Sequence, residues 1–211
     1  MTNLHSRLAG SALVAGGALA IAGYLLAGTL TGGSGDAHFT DPLWQPLYAI
    51  ALAGNLLVIL GFPAVLTAQD GRHPRLTAAG YAGTLAALLM LNLGEGVIEG
   101  FVKPYLVTHG GIPKVEPAGF VAWQAVALLC ALAGLVCLGV AVLRAGRLPR
   151  WVGGLLIASA LLSFAVSGLP GPLAELGDDC LMVALIATGL RARGPSPTRR
   201  PLARGGAASL G

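Results

Sequence analysis

Charged residues are scarce in this chain of 211 residues. Only 10% of its residues are charged, whereas 55% are hydrophobic, and its mean hydropathy is +0.76. A soluble domain carries about 25% charged residues, so this chain could not cover a water-facing surface. A helix that crosses a bilayer needs roughly 20 apolar residues in succession. The composition therefore predicts an all-α integral membrane protein.

The chain also lacks the motifs of several nucleotide-binding and metal-dependent functions. It has no GxxxxGKS or GxxxxGKT phosphate-binding loop and no HExxH zinc motif. Its four histidines are scattered over both predicted faces of the membrane, so we expect no histidine-ligated haem or zinc. Asp178 and Asp179 are not followed by the further acid of a DDxxD magnesium motif. We therefore expect neither a metal nor a cofactor.

The three cysteines form no motif. Cys130 and Cys137 would lie two turns apart on one helix, roughly 10 Å by the helical rise, which exceeds the reach of a disulfide. Cys180 lies in another part of the chain. We expect ordinary buried or lipid-facing thiols.

Long apolar runs occur at six places along the chain. They cover residues 8–30, 46–68, 76–101, 118–143, 151–169 and 173–190. Pro170-Gly171-Pro172 separates the last two runs and favours a tight helical hairpin; five spans ending in a re-entrant hairpin are the alternative. The first run is longer than the apolar region of a signal peptide and shows no clear cleavage site, so we expect a retained helix. The sequence therefore predicts six transmembrane helices.

Arginine is distributed unequally between the two predicted faces of the membrane. All the arginines fall on the side of the N-terminus, whereas the opposite loops receive only Lys103 and Lys114. Cytoplasmic loops carry an excess of basic residues, so both termini are predicted to be cytoplasmic in a multi-pass protein of the inner (plasma) membrane. This distribution accounts for the net charge of +4, and we expect no nucleic-acid partner.

The predicted spans form one transmembrane domain, residues 1–191. The basic tail, residues 192–211, should be disordered and should contact anionic membrane lipids. Residues 71–76 resemble residues 146–151, each with Gly-Arg-x-Pro-Arg before a span. Three helical hairpins in the same orientation would explain this echo, and so would a common need for arginine and helix-breaking residues in cytoplasmic turns.

Acidic residues on two distant spans fall in one layer of the predicted membrane. The helical rise places Glu95 roughly 10 Å outside the midplane, and Asp178 and Asp179 about 5 Å outside it. Acids in a membrane usually face a protein interior or a water-filled cavity. We therefore expect these two helices to meet at a polar pocket that opens outward. The structural alternative applies to Glu99, which could pair with Lys103 four residues later.

Other polar and aromatic side chains are expected near the same layer. Asn92, Glu95 and Glu99 follow the i, i+3, i+7 spacing of one helical face. The predicted substrate-binding side chains are Asn92, Glu99, Trp44, Tyr48, Trp123 and Gln124. The aromatic residues among them could instead be interfacial anchors.

Two kinds of chemistry fit a set of acids in an apolar site. A carboxyl group there favours its protonated form, so it can donate a proton to an alkene or epoxide while a second carboxylate later accepts one. Aromatic faces would stabilise the intermediate cation. The other possibility is ion-coupled movement of a solute.

Three stretches resemble uncharacterised multi-span membrane proteins of high-GC bacteria. They are Asp41-Pro42-Leu43-Trp44, residues 99–106 and residues 144–151. This resemblance covers most of the chain and implies no activity.

In size and design, the chain is also similar to the small integral-membrane terpene cyclases of meroterpenoid pathways. That resemblance implies that acids on separate helices start the cyclisation of a prenyl chain, the matching positions being Glu95 or Glu99 and Asp178 or Asp179. We therefore predict a metal-independent terpene cyclase acting on a lipid-soluble, prenylated substrate. Asp178 or Asp179 would donate the proton, and Glu95 would orient the donor or remove the final proton. The alternative is a small transporter or accessory subunit whose same acids bind a proton or cation.

Overall fold

The structure, a computed structural model, describes residues 2–32, 35–69, 73–113, 115, 117–166 and 176–193. Every regular element in this part of the chain is a helix, which confirms the all-helical prediction. The predictions for Arg72, Lys114, the Pro170-Gly171-Pro172 turn and the tail beyond residue 193 lie outside the described residues.

The described residues form eight α-helices with two stretches of π-helix. The α-helices are α1 (Thr2–Leu30), α2 (Trp44–Gly61), α3 (Pro63–Ala68), α4 (Pro74–Ala87), α5 (Lys103–His109), α6 (Ala118–Ala145), α7 (Arg150–Val166) and α8 (Leu176–Arg193). A 3-10 helix, Gly35–Thr40, precedes α2. The π-helices Leu88–Glu95 and Ile98–Val102 join α4 to α5, so that Pro74–His109 forms one continuous helix, called the third rod below.

Within the part of the chain that the structure describes, four helices are long and apolar enough to cross a membrane. They are Leu4–Leu30, Trp44–Gly61, Pro74–His109 and Ala118–Ala145, and Arg150–Ala165 is a shorter apolar helix. Large apolar side chains cover their outer surfaces; Leu60 is 70% exposed and Leu129 is 62% exposed. Contiguous apolar surface of this kind is rare on soluble monomers, so these helices are compatible with a membrane protein.

The second predicted run is divided in the structure. Its helix α2 ends at Gly61, and Pro63 begins α3 as its first residue. Proline has no N–H to continue the hydrogen-bond ladder but suits the first turn of a new helix. The third predicted run is instead longer than expected and extends to His109.

The long helices form a closed ring in the order of the chain. Helix α1 packs against α2 and α8, α8 packs against α7, α7 against α6, and α6 against α4. The π-helical part of the third rod completes the ring by packing against α2. Neighbouring helices are antiparallel, since Gly10 of α1 lies beside Gly189 of α8 whereas Gly17 lies beside Met182.

Glycine sets how closely these helices approach one another. A Cβ atom on Gly16 would lie 2.6 Å from the backbone oxygen of Gly54, and one on Gly83 would lie 2.8 Å from the Cα of Gly134. Real Cβ atoms do not approach other atoms so closely, so these four positions accept no side chain without a shift of the helices. Small residues at such contacts let helices associate in lipid, where the hydrophobic effect between helices is weak.

The interior of the ring contains two hydrophobic clusters with polar side chains between them. The larger, called the apolar core, includes the fully buried Leu13, Phe62 and Leu138. The smaller, called the aromatic cluster, is built around Phe39, Trp44 and Tyr48. Along α1, α2 and the third rod, the polar side chains described below come between the positions that contribute to these two clusters, whereas α6 and α8 contribute to the apolar core alone.

Candidate functional site: a polar layer inside the helix ring

Asp178 lies in the first turn of α8 and points towards the third rod. Its carboxylate lies near Asn92 and interacts electrostatically with Glu95 and with the adjacent Asp179. Among the described residues, Nδ2 of the buried Asn92 has no hydrogen-bond partner. The start of α8 favours acidic side chains because the helix dipole is positive there. This end of α8 is held close to α7, since a Cβ on Gly177 would lie 2.8 Å from the backbone nitrogen of Ser163.

Glu95 connects this pair of helices to α6. Its Oε1 atom accepts a hydrogen bond of 3.2 Å from Nε2 of Gln124. Glu95, Gln124 and Asp178 are all partly buried. The structure thus brings together acids and amides from the third rod, α6 and α8.

A second set of hydrogen bonds holds the backbone of the third rod. Asn55 of α2 is fully buried, and its Nδ2 atom donates to the Tyr24 hydroxyl at 2.8 Å and to the Asn92 carbonyl at 3.1 Å. The Tyr24 hydroxyl also donates to the Asn92 carbonyl at 3.4 Å. Among the described residues, Oδ1 of Asn55 has no hydrogen-bond partner. The polar layer therefore consists of Tyr24, Asn55, Asn92, Glu95, Gln124 and Asp178, and its contribution from α1, Tyr24, was not predicted.

The π-helical geometry changes which side chains of the third rod share a face. The predicted face of Asn92, Glu95 and Glu99 assumes 3.6 residues per turn, whereas these three residues lie in stretches with wider i→i+5 turns. Glu99 instead forms an ion pair with Lys103, the structural alternative stated for it. Its carbonyl accepts a 3.0 Å hydrogen bond from Nε1 of Trp44.

The aromatic side chains predicted for the pocket separate into two groups. Trp44 and Tyr48 stack with ring centroids 4.6 Å apart, and Tyr48 meets Tyr24 edge-on at 5.4 Å. Both are at least nine-tenths buried, so they lie inside the ring beside the polar layer. Trp123 belongs to a different contact; it stacks on Phe120 at 5.6 Å and lies against Gly94 of the third rod.

An apolar groove of about 310 Å³ opens between α4 and α6, away from the acids. Gly83 and Gly134 lie in its lining, together with the free thiols of Cys130 and Cys137. None of its lining residues is acidic. The described residues include no group of three or more His, Cys, Asp or Glu side chains arranged to hold a metal ion.

No protein-family model, no curated protein and no solved structure matches this chain. Its function must therefore be inferred from the polar layer itself.

Proposed function

We propose that this chain is a six-span protein of the inner (plasma) membrane with both termini in the cytoplasm. In support, α7 and α8 each pack between two neighbours and complete the antiparallel ring. In such a ring, the first residues of α1, α4 and α7 lie at the same end as the last residues of α6 and α8. The described arginines all lie near that end; they are Arg7, Arg75, Arg144, Arg147, Arg150, Arg191 and Arg193. The positive-inside rule makes this end cytoplasmic.

We propose further that Asp178 and Glu95 form a carboxyl pair that takes up and releases a proton or a monovalent cation to drive movement of a solute. The observation that carries this proposal is the meeting of three elements at these acids: Glu95 of the third rod accepts a 3.2 Å hydrogen bond from Gln124 of α6 and interacts electrostatically with Asp178 of α8. Two ionised carboxylates that lie near one another repel each other where water is scarce. Binding one proton or one cation removes this repulsion.

The surroundings of the pair favour this function over catalysis on a bulky substrate. Glu95 accepts a hydrogen bond from the Gln124 amide, and Asp178 lies near Asn92. The apolar groove between α4 and α6 is lined by other residues and contains no acid. Acids that exchange protons inside membranes are commonly arranged as such side-chain relays.

Reconstitution tests the proposal directly. Purified protein is placed in liposomes that contain a pH-sensitive dye, and amino acids, sugars, organic cations and alkali cations are added outside in turn. We expect one class to change the internal pH through wild-type protein, Asp178→Asn and Glu95→Gln to abolish the change, and Glu99→Gln to retain it. Equal responses from all these variants would contradict the proposal.

Terpene cyclisation is the second candidate, favoured by the aromatic residues beside the polar layer. Tyr24 links the two directly, because its ring meets Tyr48 and its hydroxyl bonds to Asn55. Asp178 would then protonate the prenyl chain, and Tyr48 and Trp44 would face the cation. Conversion of a linear farnesylated substrate to a cyclic isomer by purified protein, without magnesium, would establish this activity and displace the transport proposal.

A further inference from the structure

The aromatic cluster lies between the polar layer and the end of the ring that is remote from the described arginines. Two glycines of the third rod show the order of its rings. A Cβ on Gly96 would lie 3.2 Å from the hydroxyl oxygen of Tyr24, which belongs to the polar layer. Four residues further along the rod, a Cβ on Gly100 would lie 2.9 Å from Cβ of Tyr48. The aromatic rings therefore continue from the polar layer towards the end of the rod at His109.

Phe39 lies beyond these rings, on the connection between α1 and α2. Nζ of Lys103, which follows Gly100 along the third rod, lies 5.8 Å from the centre of the Phe39 ring, within the range of a cation–π contact. The ring also meets Trp44 edge-on at 5.2 Å. Phe39 is only 7% exposed, although the 3-10 helix that carries it, Gly35–Thr40, is short and peripheral. A buried ring on a peripheral connection closes this end of the helix ring.

The segment that carries Phe39 has few other buried attachments. Of residues 36–40, only Phe39 is buried. The carboxylate of Asp41 joins the two sides of the segment, because it accepts hydrogen bonds from the backbone nitrogens of Leu43 at 2.8 Å and Gly32 at 3.4 Å. Both bonds are exposed, so water competes for them. Segments with few buried contacts open locally at a lower free-energy cost than unfolding of the whole protein.

We propose that the 3-10 helix Gly35–Thr40 is a lid and that Phe39 is its gate residue: a proton or cation from this end of the ring reaches Asp178 and Glu95 only when Phe39 leaves the aromatic cluster. The destination of that path rests on the proposed function of the two acids, whereas the lid rests on the burial of Phe39. With the lid closed, the aromatic rings exclude water and hydrated ions from the polar layer. Asp41 holds the lid closed by joining its two sides.

Access of a water-soluble thiol reagent to the polar layer tests the lid without a known solute. Cys130, Cys137 and Cys180 are replaced by serine, and Asn92→Cys introduces a reporter thiol in the buried polar layer. The purified protein in detergent is treated with the permanently charged reagent 2-(trimethylammonium)ethyl methanethiosulfonate, and the rate of modification is measured by mass spectrometry. The reporter should react slowly when Phe39 is present. In Phe39→Ala it should react about tenfold faster or more, because a large buried contact that holds the lid closed is lost.

Matched variants distinguish opening of the lid from general loosening of the ring. Phe164→Ala removes a ring that is 60% exposed on α7 and should leave the rate unchanged. Asp41→Ala retains Phe39 and should raise the rate several-fold, whereas Asp41→Asn, which retains an acceptor oxygen, should return it towards that of the parent protein. If Phe39→Ala does not fold, Asp41→Ala decides; if the reporter variant does not fold, Gln124→Cys replaces it.

The possible results separate the lid from the proposed function. Equal rates in the parent protein, Phe39→Ala and Asp41→Ala would overturn the lid, and so would an equal acceleration by Phe164→Ala. Acceleration by Phe39→Ala but not by Asp41→Ala would retain the gate residue and reject the role of Asp41. Acceleration by both, together with no solute-driven change of pH in the liposome assay, would retain the lid and overturn the transport proposal.

Discussion

The apolar core and the polar layer occupy the same ring of helices but are assembled by different interactions. Around Leu138 and Phe62, contacts are apolar and the backbones approach through glycine. Around Asn92 and Asp178, hydrogen bonds and charges join the third rod to α1, α2, α6 and α8. Packing in the core is determined by shape, whereas the polar layer depends on the direction of individual donors.

The close packing of the apolar core is needed for assembly of the ring, whereas the acids of the polar layer are energetically unfavourable there. Helices in lipid associate through close packing of small residues, and the glycine contacts supply that packing. Acids inside a membrane are expensive to retain. The polar layer is therefore where function is expected, and substitutions in the two regions should have opposite effects on activity and stability.

The largest expected effect is loss of function without loss of fold in the polar layer. Asp178→Asn keeps the shape of the side chain but removes the exchangeable proton. Solute-driven proton movement should fall at least 100-fold, or about 2.7 kcal/mol, in the liposome assay. The melting temperature in detergent should not decrease, because an uncompensated charge has been removed. Wild-type transport by the folded variant would show that the polar layer is structural.

Next in size is a stability effect confined to the apolar core. A Cβ on Gly54 would lie 2.7 Å from the backbone oxygen of Gly16, whereas one on Gly154 would meet no atom within 4 Å. Gly54→Ala should therefore lower the free energy of unfolding by about 2 kcal/mol. Gly154→Ala should leave it unchanged or raise it by up to about 1 kcal/mol through helix propensity. Similar unfolding midpoints for the two variants would mean that the glycine contacts do not set the helix spacing.

The sequence predicts the apolar helices better than it predicts the polar layer. The all-helical, apolar character follows from composition, and the run 118–143 lies within the helix Ala118–Ala145. The break before Pro63 was not predicted, because proline is tolerated inside membrane helices. The depth argument predicted that Asp178 and Glu95 would lie near one another, and the two carboxyl groups do interact electrostatically.

The remainder of the site depends on contacts between helices. Apolar periodicity is read with 3.6 residues per turn, so it cannot reveal the π-helices in which Asn92, Glu95 and Glu99 lie. A single tyrosine such as Tyr24 in an Ala- and Gly-rich span looks like a packing residue until its hydroxyl is seen beside Asn55. One sequence feature could have indicated these contacts: isolated polar residues occur within several of the apolar helices.

A smaller effect is expected where the aromatic cluster meets the third rod. Trp44→Phe keeps an aromatic ring but removes the Nε1 donor to the Glu99 carbonyl. The expected loss of stability is about 1 kcal/mol, measured by unfolding in detergent. Trp151→Phe is the matched control, because Trp151 is 52% exposed; its unfolding should be almost unchanged. Equal losses for the two variants would assign the effect to ring size and not to the hydrogen bond.

The smallest effect tests whether every buried polar atom matters or only those of the polar layer. Ser159 of α7 is 1% exposed, and its hydroxyl has no hydrogen-bond partner among the described residues. An unsatisfied buried hydroxyl is unfavourable, so its removal should be neutral or stabilising. Ser159→Ala should change the free energy of unfolding by no more than about 0.5 kcal/mol in the destabilising direction, with full transport activity. Asn55→Ala, which removes an equally buried polar group that does have partners, should cost about 2 kcal/mol and lower activity. If Ser159→Ala is as harmful as Asn55→Ala, hydrogen bonding within the polar layer does not distinguish the two regions.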